Sequence, residues 1–368
     1  MAGLVLSLNA GSSNLKAALF EVSGDEPSPV GRAKIDGQDS HEATVAATLA
    51  WVDQTAAGRE LIGAGHRIVH GGPDFHSPQR LTPAIMAALE TLIPLAPLHQ
   101  PEGLAAVRAL AAVRPDLPQV ACFDTAFHWS QPPVAQWIGL PRSLRDRGVR
   151  RYGFHGLSYE HVARRLAVLD PELARGRVVV AHLGSGASLC AIRAGASVET
   201  TMGFSPLDGL LMGTRPGRLD PGVVLFLLQH EGMKANEIDD LLYHRSGLLG
   251  VSGLSSDMQT LLSSDAAAAG EAVELFVHRA ALEASAVATA MGGLDGVVFT
   301  GGIGENSAEI RARIAGRLAW LGLGLSETAN AGSGERRIDG TGSRLRAWVI
   351  PTDEEKNIAR HVLEVLAA

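Results

Sequence analysis

The sequence predicts an α/β protein built from two related halves, and three observations carry that reading. First, short apolar runs with strand character alternate with longer stretches whose apolar residues recur at helical spacing, in both halves of the 368-residue chain. Second, Leu4-Val-Leu-Ser-Leu-Asn9-Ala-Gly11-Ser12, followed by an apolar stretch from Leu15, has a counterpart in Val178-Val-Val-Ala-His182-Leu-Gly184-Ser185-Gly186, again followed by one. Each copy is a strand, a polar residue, a Gly-Ser turn and a second strand, so the chain reads as a duplication. Third, Val297-Val-Phe-Thr-Gly301-Gly302-Ile303-Gly304-Glu-Asn306 runs from a buried strand into another glycine turn ahead of a helix. Glycine tolerates positive φ and close approach, so such turns can aim backbone N–H groups at an anion.

In order, strand patterns fall near 4–9, 15–22, 62–69 and 119–122 in the first half, with helical patterns near 83–93 and 103–113 between the last two. The segment 127–151 carries Pro132, Pro133, Pro141 and an arginine-rich end and breaks both periodicities, so it reads as the crossover between domains or as a flap. A helical pattern near 158–168 precedes strands near 178–183 and 188–192. Helical patterns follow near 220–231, 236–243 and 266–291; the last is alanine-rich, but Val273, Phe276, Val277 and Ala280 mark a buried helix face. A strand near 296–300, a helix over 307–318, a strand near 346–350 and a helix over 353–366 complete the chain. The length suits two domains, 1–126 and 127–354, with 355–368 packing back on the first.

Composition excludes several classes. Apolar residues at 46% and charged residues at 19% describe a globular chain. Lys plus Arg total 32 against 39 Asp plus Glu, and this net charge of −7 argues against a nucleic-acid or anionic-membrane surface. No apolar run reaches the roughly 18 residues a membrane helix needs. Only Cys122 and Cys190 occur, each within an apolar stretch and without metal-ligand spacing, which reads as a reducing compartment and a cytoplasmic enzyme.

Two arginines stand beside glycines: Arg67 in Gly65-His-Arg-Ile-Val-His-Gly-Gly72, and Arg215 in Met212-Gly-Thr-Arg-Pro-Gly217. Either serves as a surface guanidinium or as a planar fork for carboxylate and phosphate oxygens, and the open backbone beside both favours the fork. Asp124 lies just past a strand, where ligands of open α/β sheets gather. His155 sits between glycines in Tyr152-Gly-Phe154-His-Gly156, as a helix cap or as a site residue, while His99 fits either role. Phosphoryl transfer asks for in-line alignment and charge neutralisation, and this set can supply both. There is no P-loop, no His-Glu-x-x-His zinc motif and no Gly-x-Ser-x-Gly elbow in strand-to-helix context.

Taken in order, Asn9-Ala-Gly-Ser-Ser, Gly65-His-Arg-Ile-Val-His-Gly-Gly, Phe123-Asp-Thr-Ala-Phe-His, Arg151-Tyr-Gly-Phe-His-Gly, His182-Leu-Gly-Ser-Gly-Ala-Ser, Met202-Gly-Phe, Met212-Gly-Thr-Arg, Phe299-Thr-Gly-Gly-Ile-Gly-Glu-Asn-Ser and Pro351-Thr-Asp-Glu-Glu resemble the acetate kinase family from end to end. The resemblance implies the duplicated fold of actin, Hsp70 and the sugar kinases, which is ribonuclease H-like with a nucleotide cleft between domains, usually as a homodimer. It implies reversible transfer of the ATP γ-phosphoryl group to a short carboxylate, giving an acyl phosphate and ADP, with Mg²⁺ or in its place Mn²⁺. Arg67 and Arg215 then match the pair that binds carboxylate and migrating phosphoryl, and His155 with Arg215 the transition-state stabilisers. Asp124 is a catalytic residue that helps organise the metal, and Asn9 and Glu354 are the metal-side groups. Val69, Leu98, Phe154 and Pro206 match the wall of the acetate pocket. Asn9, Ser12 and Lys16 match the first phosphate loop, and His182, Gly184, Ser185 and Gly186 the second. Asp257, Met258 and Gln259, with Gly301, Gly302, Ile303, Gly304 and Asn306, match the adenosine side.

Departures from the family pattern are also visible. His99-Gln-Pro-Glu102 stands in place of Asn-Pro-Pro-Asn, Asn14 and Ser185 replace a serine and an asparagine of the two loops, and Met258-Gln259 replaces Phe-Arg. The last change predicts weaker or broader base recognition. Acetate is the expected acceptor; the alternatives are a propionate or butyrate kinase, and a nucleotide-binding scaffold of the actin or Hsp70 type.

Overall fold

The computed structural model describes residues 3–11, 14–24, 26–37 and 40–368, so Ser12 lies outside the described residues. The chain divides into two units: Met1–Trp129 with Gly156–His161 and Asp353–Ala368, and Ser130–His155 with Val162–Thr352.

In the first unit β1 (Gly3–Ala10), β2 (Asn14–Val22), β3 (Ser28–Asp36), β4 (Leu61–Ile68), β5 (Gln79–Arg80) and β6 (Gln119–Phe123) form a sheet of order β3-β2-β1-β4-β6-β5. β1, β4 and β6 run parallel, whereas β2, β3 and β5 are antiparallel to their neighbours. In the second unit β7 (Arg177–Leu183), β8 (Ala187–Arg193), β9 (Ala196–Thr200), β10 (Gly296–Thr300), β11 (Arg336–Arg337) and β12 (Arg346–Val349) take the order β11-β12-β10-β7-β8-β9. Read from the opposite edge, this order and the directions of its strands repeat the first sheet. The duplication suggested by two glycine turns therefore extends to the whole topology. The parallel strands β6 and β10 are buried throughout, as strands covered on both faces are.

Several elements escape the periodicity reading, four of them instructive. Helix His41–Ala56 buries Val45, Leu49, Val52 and Ala56 at helical spacing, but Thr44 and Thr48 lie on the same buried face and dilute the apolar signal. Thr48 Oγ1 donates to the Thr44 carbonyl at 2.8 Å, which lets its hydroxyl be buried. β3 is an edge strand with Pro29, Gly31, Arg32 and Lys34, the composition that protects an edge and hides a strand from pattern reading. β9 is the matching edge of the second sheet. Helix Gly301–Asn306 begins within the third glycine turn, ahead of the expected helix over 307–318, which is observed as Ala308–Arg317. The segment 127–151 carries short helical turns at Ala126–Ser130, Pro133–Gln136 and Arg142–Arg145.

Helix Glu354–Ala367 starts at the Asp353 cap and packs Ile358, Ala359 and Val362 against Val5, Phe20, Val120 and Leu157. A buried polar contact fixes it further: Glu160 accepts hydrogen bonds from Asn357 Nδ2 at 2.9 Å and from His361 Nε2 at 2.9 Å. Burial works against charge on His361, but neighbouring Cys122 and Glu160 outweigh it and hold the imidazole pKa up at about 10. A pKa raised above the unfolded value of about 6.5 contributes stability that is fully present below that value and lost as pH climbs through the folded one. Urea titrations should therefore show an unfolding free energy that declines between about pH 6.5 and 10 by on the order of 5 kcal/mol at most, and His361→Gln should flatten that decline. An equal slope in parent and variant would mean that this ring folds uncharged.

Both cysteines are buried, free thiols with pKa values raised by burial, that of Cys190 to about 12, in line with their reading as small apolar residues.

Candidate active site

In the first unit the polar side chains gather at the C-terminal ends of the parallel strands, the end where α/β sheets bind ligands. Arg67 comes one residue before the end of β4, Asp124 directly follows β6, Asn9 is near the end of β1, and Glu354 opens the closing helix. Arg67 Nε donates to Asp124 Oδ1 at 3.0 Å and Nη2 donates to Oδ2, a bidentate pair. Nη1 reaches Asn9 Oδ1 at 3.2 Å, and Glu354 Oε2 lies 3.9 Å from Nε. Asp124 is only 1% exposed, so this ion pair is made away from solvent on its acidic side. Burial opposes the charge of Arg67, but Asp124 and Glu354 outweigh it and its pKa is raised.

Glu354 behaves oppositely. Burial pushes its pKa up to about 7; Arg67 and Lys16 pull it down, while Asp124 and Glu355 push it further up. Lys16 pairs with Asn9 in the β1–β2 register, so the sheet itself sets it beside the cluster.

The turn after Arg67 is held by residues that pattern reading passed over. Gln100, buried at the start of its helix, accepts from the His70 backbone N–H at 3.2 Å and donates to the His70 carbonyl at 3.1 Å, while Thr125 Oγ1 accepts from Gly71 N–H. Gln100 belongs to the His99-Gln-Pro-Glu102 departure, and its buried amide serves as a brace for that turn. Val69 in the same turn is buried, Leu98 half-buried and His99 exposed. His66, buried against Gln119 at 2.7 Å with its pKa lowered to about 4 by burial, is a neutral structural histidine.

In the second unit the β7–β8 hairpin turns through Gly184, Ser185 and Gly186. A Cβ on Gly186 would stand 2.8 Å from Arg215 Nη2 and 3.3 Å from His155 Nε2, so guanidinium and imidazole converge on the space beside this glycine, and a side chain there would displace the guanidinium. Positive φ, expected for such turns, is found here only at Gly301 (φ 77); Gly184 and Gly186 serve through close approach instead. His155 itself adopts φ 59 at the N-cap of helix Gly156–Leu169, stacks on His182 with ring centroids 4.3 Å apart, and meets Ser188 Oγ through Nδ1 at 2.8 Å. A non-glycine residue in this region is strained and worth noting at a site. Arg215 Nη1 donates to the carbonyl of Pro206, itself buried, as is Phe154.

The glycine turns of this unit adjoin. A Cβ on Gly184 would lie 3.8 Å from Gly302 N, and one on Gly213 would lie 3.2 Å from Ser256 O and 3.4 Å from Ser185 O. Gly301 N–H donates to Glu305 Oε1, and Asn306 Nδ2 folds back on the Gly302 carbonyl, while Ile303 and Gly304 continue the same short helix. Asp257 caps the next short helix by accepting from Thr260 N–H at 2.8 Å. Met258 is 3% exposed within the core whereas Gln259 is exposed, so of the two replaced positions only Gln259 offers its side chain to a ligand.

Two sheets of one topology, with arginine, imidazole, carboxylate and glycine turns at the ends of their strands, define a duplicated α/β protein. The chain belongs to the acetokinase family, which it matches over residues 31–360. It is 50% identical to an acetate kinase of Rhodopseudomonas palustris over 390 residues covering 98% of each chain, and 46% identical to one of Methylocella silvestris over 100% of this chain and 98% of the relative. Among solved structures it is similar to an acetate kinase of Porphyromonas gingivalis (34% identity, TM-score 0.89) and a propionate kinase of Francisella tularensis (32% identity, TM-score 0.90), each over 99% of this chain and 100% of the other. No helix among the described residues is long and apolar enough to cross a membrane.

Proposed function

We propose that this chain is an acetate kinase, transferring the γ-phosphoryl group of ATP reversibly to acetate to give acetyl phosphate and ADP. The observation that carries the reading is the convergence of Arg215 and His155 over Gly186, a donor pair facing space kept free of any side chain. An acetate oxygen attacks the γ-phosphorus, the bond from that phosphorus to the oxygen shared with the β-phosphate breaks, and charge spreads over the three equatorial oxygens. Arg215 and His155 neutralise those oxygens, and Arg67, held planar by Asp124, aligns the acceptor carboxylate. Val69, Leu98, Phe154 and Pro206 supply the apolar surface for the methyl group, while the turns at His182–Gly186 and 301–306 receive the nucleotide.

Glu354, Asp124 and Asn9 fit Mg²⁺, because they present hard oxygens and that ion is held by one or two carboxylates plus substrate phosphates. No group of three or more His, Cys, Asp or Glu side chains among the described residues is placed to hold a metal by itself. When bound, the ion offsets phosphate charge. Glu354→Ala should raise the Mg²⁺ concentration for half-maximal activity by about tenfold; an unchanged activation curve would move the assignment to Glu355.

The homodimer is supported by helix Pro221–Gln229, which has no buried residue although Val223, Leu225, Phe226 and Leu228 are all 40% exposed or more. Sedimentation velocity distinguishes a dimer from a monomer.

One assay tests the activity: hydroxamate formation with acetate, propionate and butyrate, each against ATP, GTP and pyrophosphate. Acetate with ATP should give the highest kcat/KM, with propionate second. Product with propionate alone would make the chain a propionate kinase, and no product with any acceptor would leave the scaffold reading. Base selectivity is the finer expectation. Because Gln259 is exposed and Met258 is core, Gln259→Arg alone should lower the KM for ATP, whereas Met258→Phe should destabilise by about 1–3 kcal/mol through overpacking. An unaltered KM in Gln259→Arg would place base recognition elsewhere.

A further inference from the structure

We infer that Ser188 sets the tautomer of His155, donating its hydroxyl hydrogen to Nδ1 and so leaving the imidazole proton on Nε2. The inference rests on the reading of His155 as a donor to the transferring phosphoryl group, and it adds the residue that makes a neutral imidazole able to do so.

Ser188 is fully buried on β8, directly opposite His182 in the β7–β8 pairing, and its Oγ lies 2.8 Å from His155 Nδ1. The two nitrogens of the ring thus meet different surroundings. Nδ1 faces a buried hydroxyl, which can donate or accept. Nε2 faces the position of the absent Gly186 side chain, the same place that Arg215 Nη2 approaches. Arg215 has only donors, so the species gathered there is an anion, and a bare Nε2 lone pair would repel it. A neutral ring carries one N–H, which places it on Nε2 and leaves Nδ1 as the acceptor.

Protonating both nitrogens is the other way to obtain a donor at Nε2, and the surroundings oppose it. The ring lies parallel to His182 at 4.3 Å, beside the Arg215 guanidinium, and at the positive end of a 14-residue helix. A serine hydroxyl at Nδ1 serves the neutral ring and, unlike a carboxylate, does not draw a second proton onto it.

Ser188 is therefore a positioning residue, and its effect belongs in kcat. In Ser188→Ala the Nδ1 lone pair loses its donor, so the Nε2–H tautomer is no longer enforced. We expect kcat to fall about tenfold with both KM values within about twofold, because one neutral hydrogen bond is lost in a step that substrate binding does not sense. Ser188→Thr retains the hydroxyl and should keep kcat within about threefold of the parent.

The deciding measurement is ¹⁵N NMR of the whole protein labelled in its histidine rings, with His155 identified by the signals missing in His155→Gln. The parent should show a protonated Nε2 and an unprotonated Nδ1, and Ser188→Ala should shift both signals toward exchange between tautomers. A parent ring protonated at Nδ1, or ring signals unmoved in Ser188→Ala, overturns the inference. The parent spectrum decides the donor direction even if the alanine variant fails to fold. Parental turnover in His155→Gln would instead remove the catalytic reading of His155, while the spectrum still reports on Ser188.

Discussion

Replacing Arg215 with alanine is expected to lower kcat about a thousandfold while leaving the unfolding free energy within about 1 kcal/mol of the parent. The two halves of this expectation have separate causes. Catalytically, Arg215 presents Nη2 over Gly186 beside His155 Nε2, the place where the proposed reaction puts the growing phosphoryl charge, and preorganised donors matter most at such points. Structurally, the residue is half-buried and its Nη1 donates to a neutral backbone partner, the Pro206 carbonyl at 2.8 Å, a contact whose loss costs one hydrogen bond. Lysine should restore less than about a tenth of the activity, since a single ammonium cannot hold the Pro206 carbonyl and reach over Gly186 together. Steady-state kinetics with thermal unfolding on the same preparations checks both halves. Turnover near the parental value at saturating substrate would remove Arg215 from the reaction.

The contrast between what the chain announces and what it conceals has a physical basis. Glycine turns, the arginines beside them and the strands leading into them are visible because backbone approach restricts residue type locally: Gly301 admits no side chain without strain, and the sequence must say so. The acetate kinase resemblance rests on the same restrictions. Residues that act by reaching across the fold leave no such mark. Ser188 closes the His182-Leu-Gly-Ser-Gly-Ala-Ser motif without a role until β8 sets it beside His155, and Gln100 is only part of a departure from the family pattern until its amide is seen bracing His70. Edge strands β3 and β9 were hidden because an edge favours the polar, irregular composition that pattern reading assigns to loops. Glycine is selected both by conformational freedom, as at Gly301, and by close packing, as at Gly184 and Gly186, and sequence does not say which is at work.

Arg67 should respond differently from Arg215. Arg67→Ala is expected to cost about a thousandfold in kcat and, in addition, about 3–5 kcal/mol of stability. Its bidentate partner Asp124 is 1% exposed, and without the guanidinium that carboxylate is left buried beside Glu354, a second acid whose pKa is already pushed up to about 7. The charge proposed to align the acceptor thus also neutralises its own support. The two roles separate in a double-mutant cycle. Arg67→Ala with Asp124→Ala removes the stranded charge, so the double variant should be more stable than Arg67→Ala alone, with a coupling of about 2–3 kcal/mol, yet equally inactive. Additive stabilities would mean that solvent or another cation satisfies Asp124 when Arg67 is absent. Recovery of turnover in the double variant would be more damaging, because it would make the loss in Arg67→Ala a consequence of the unpaired aspartate and leave the acceptor carboxylate to be aligned by some other group.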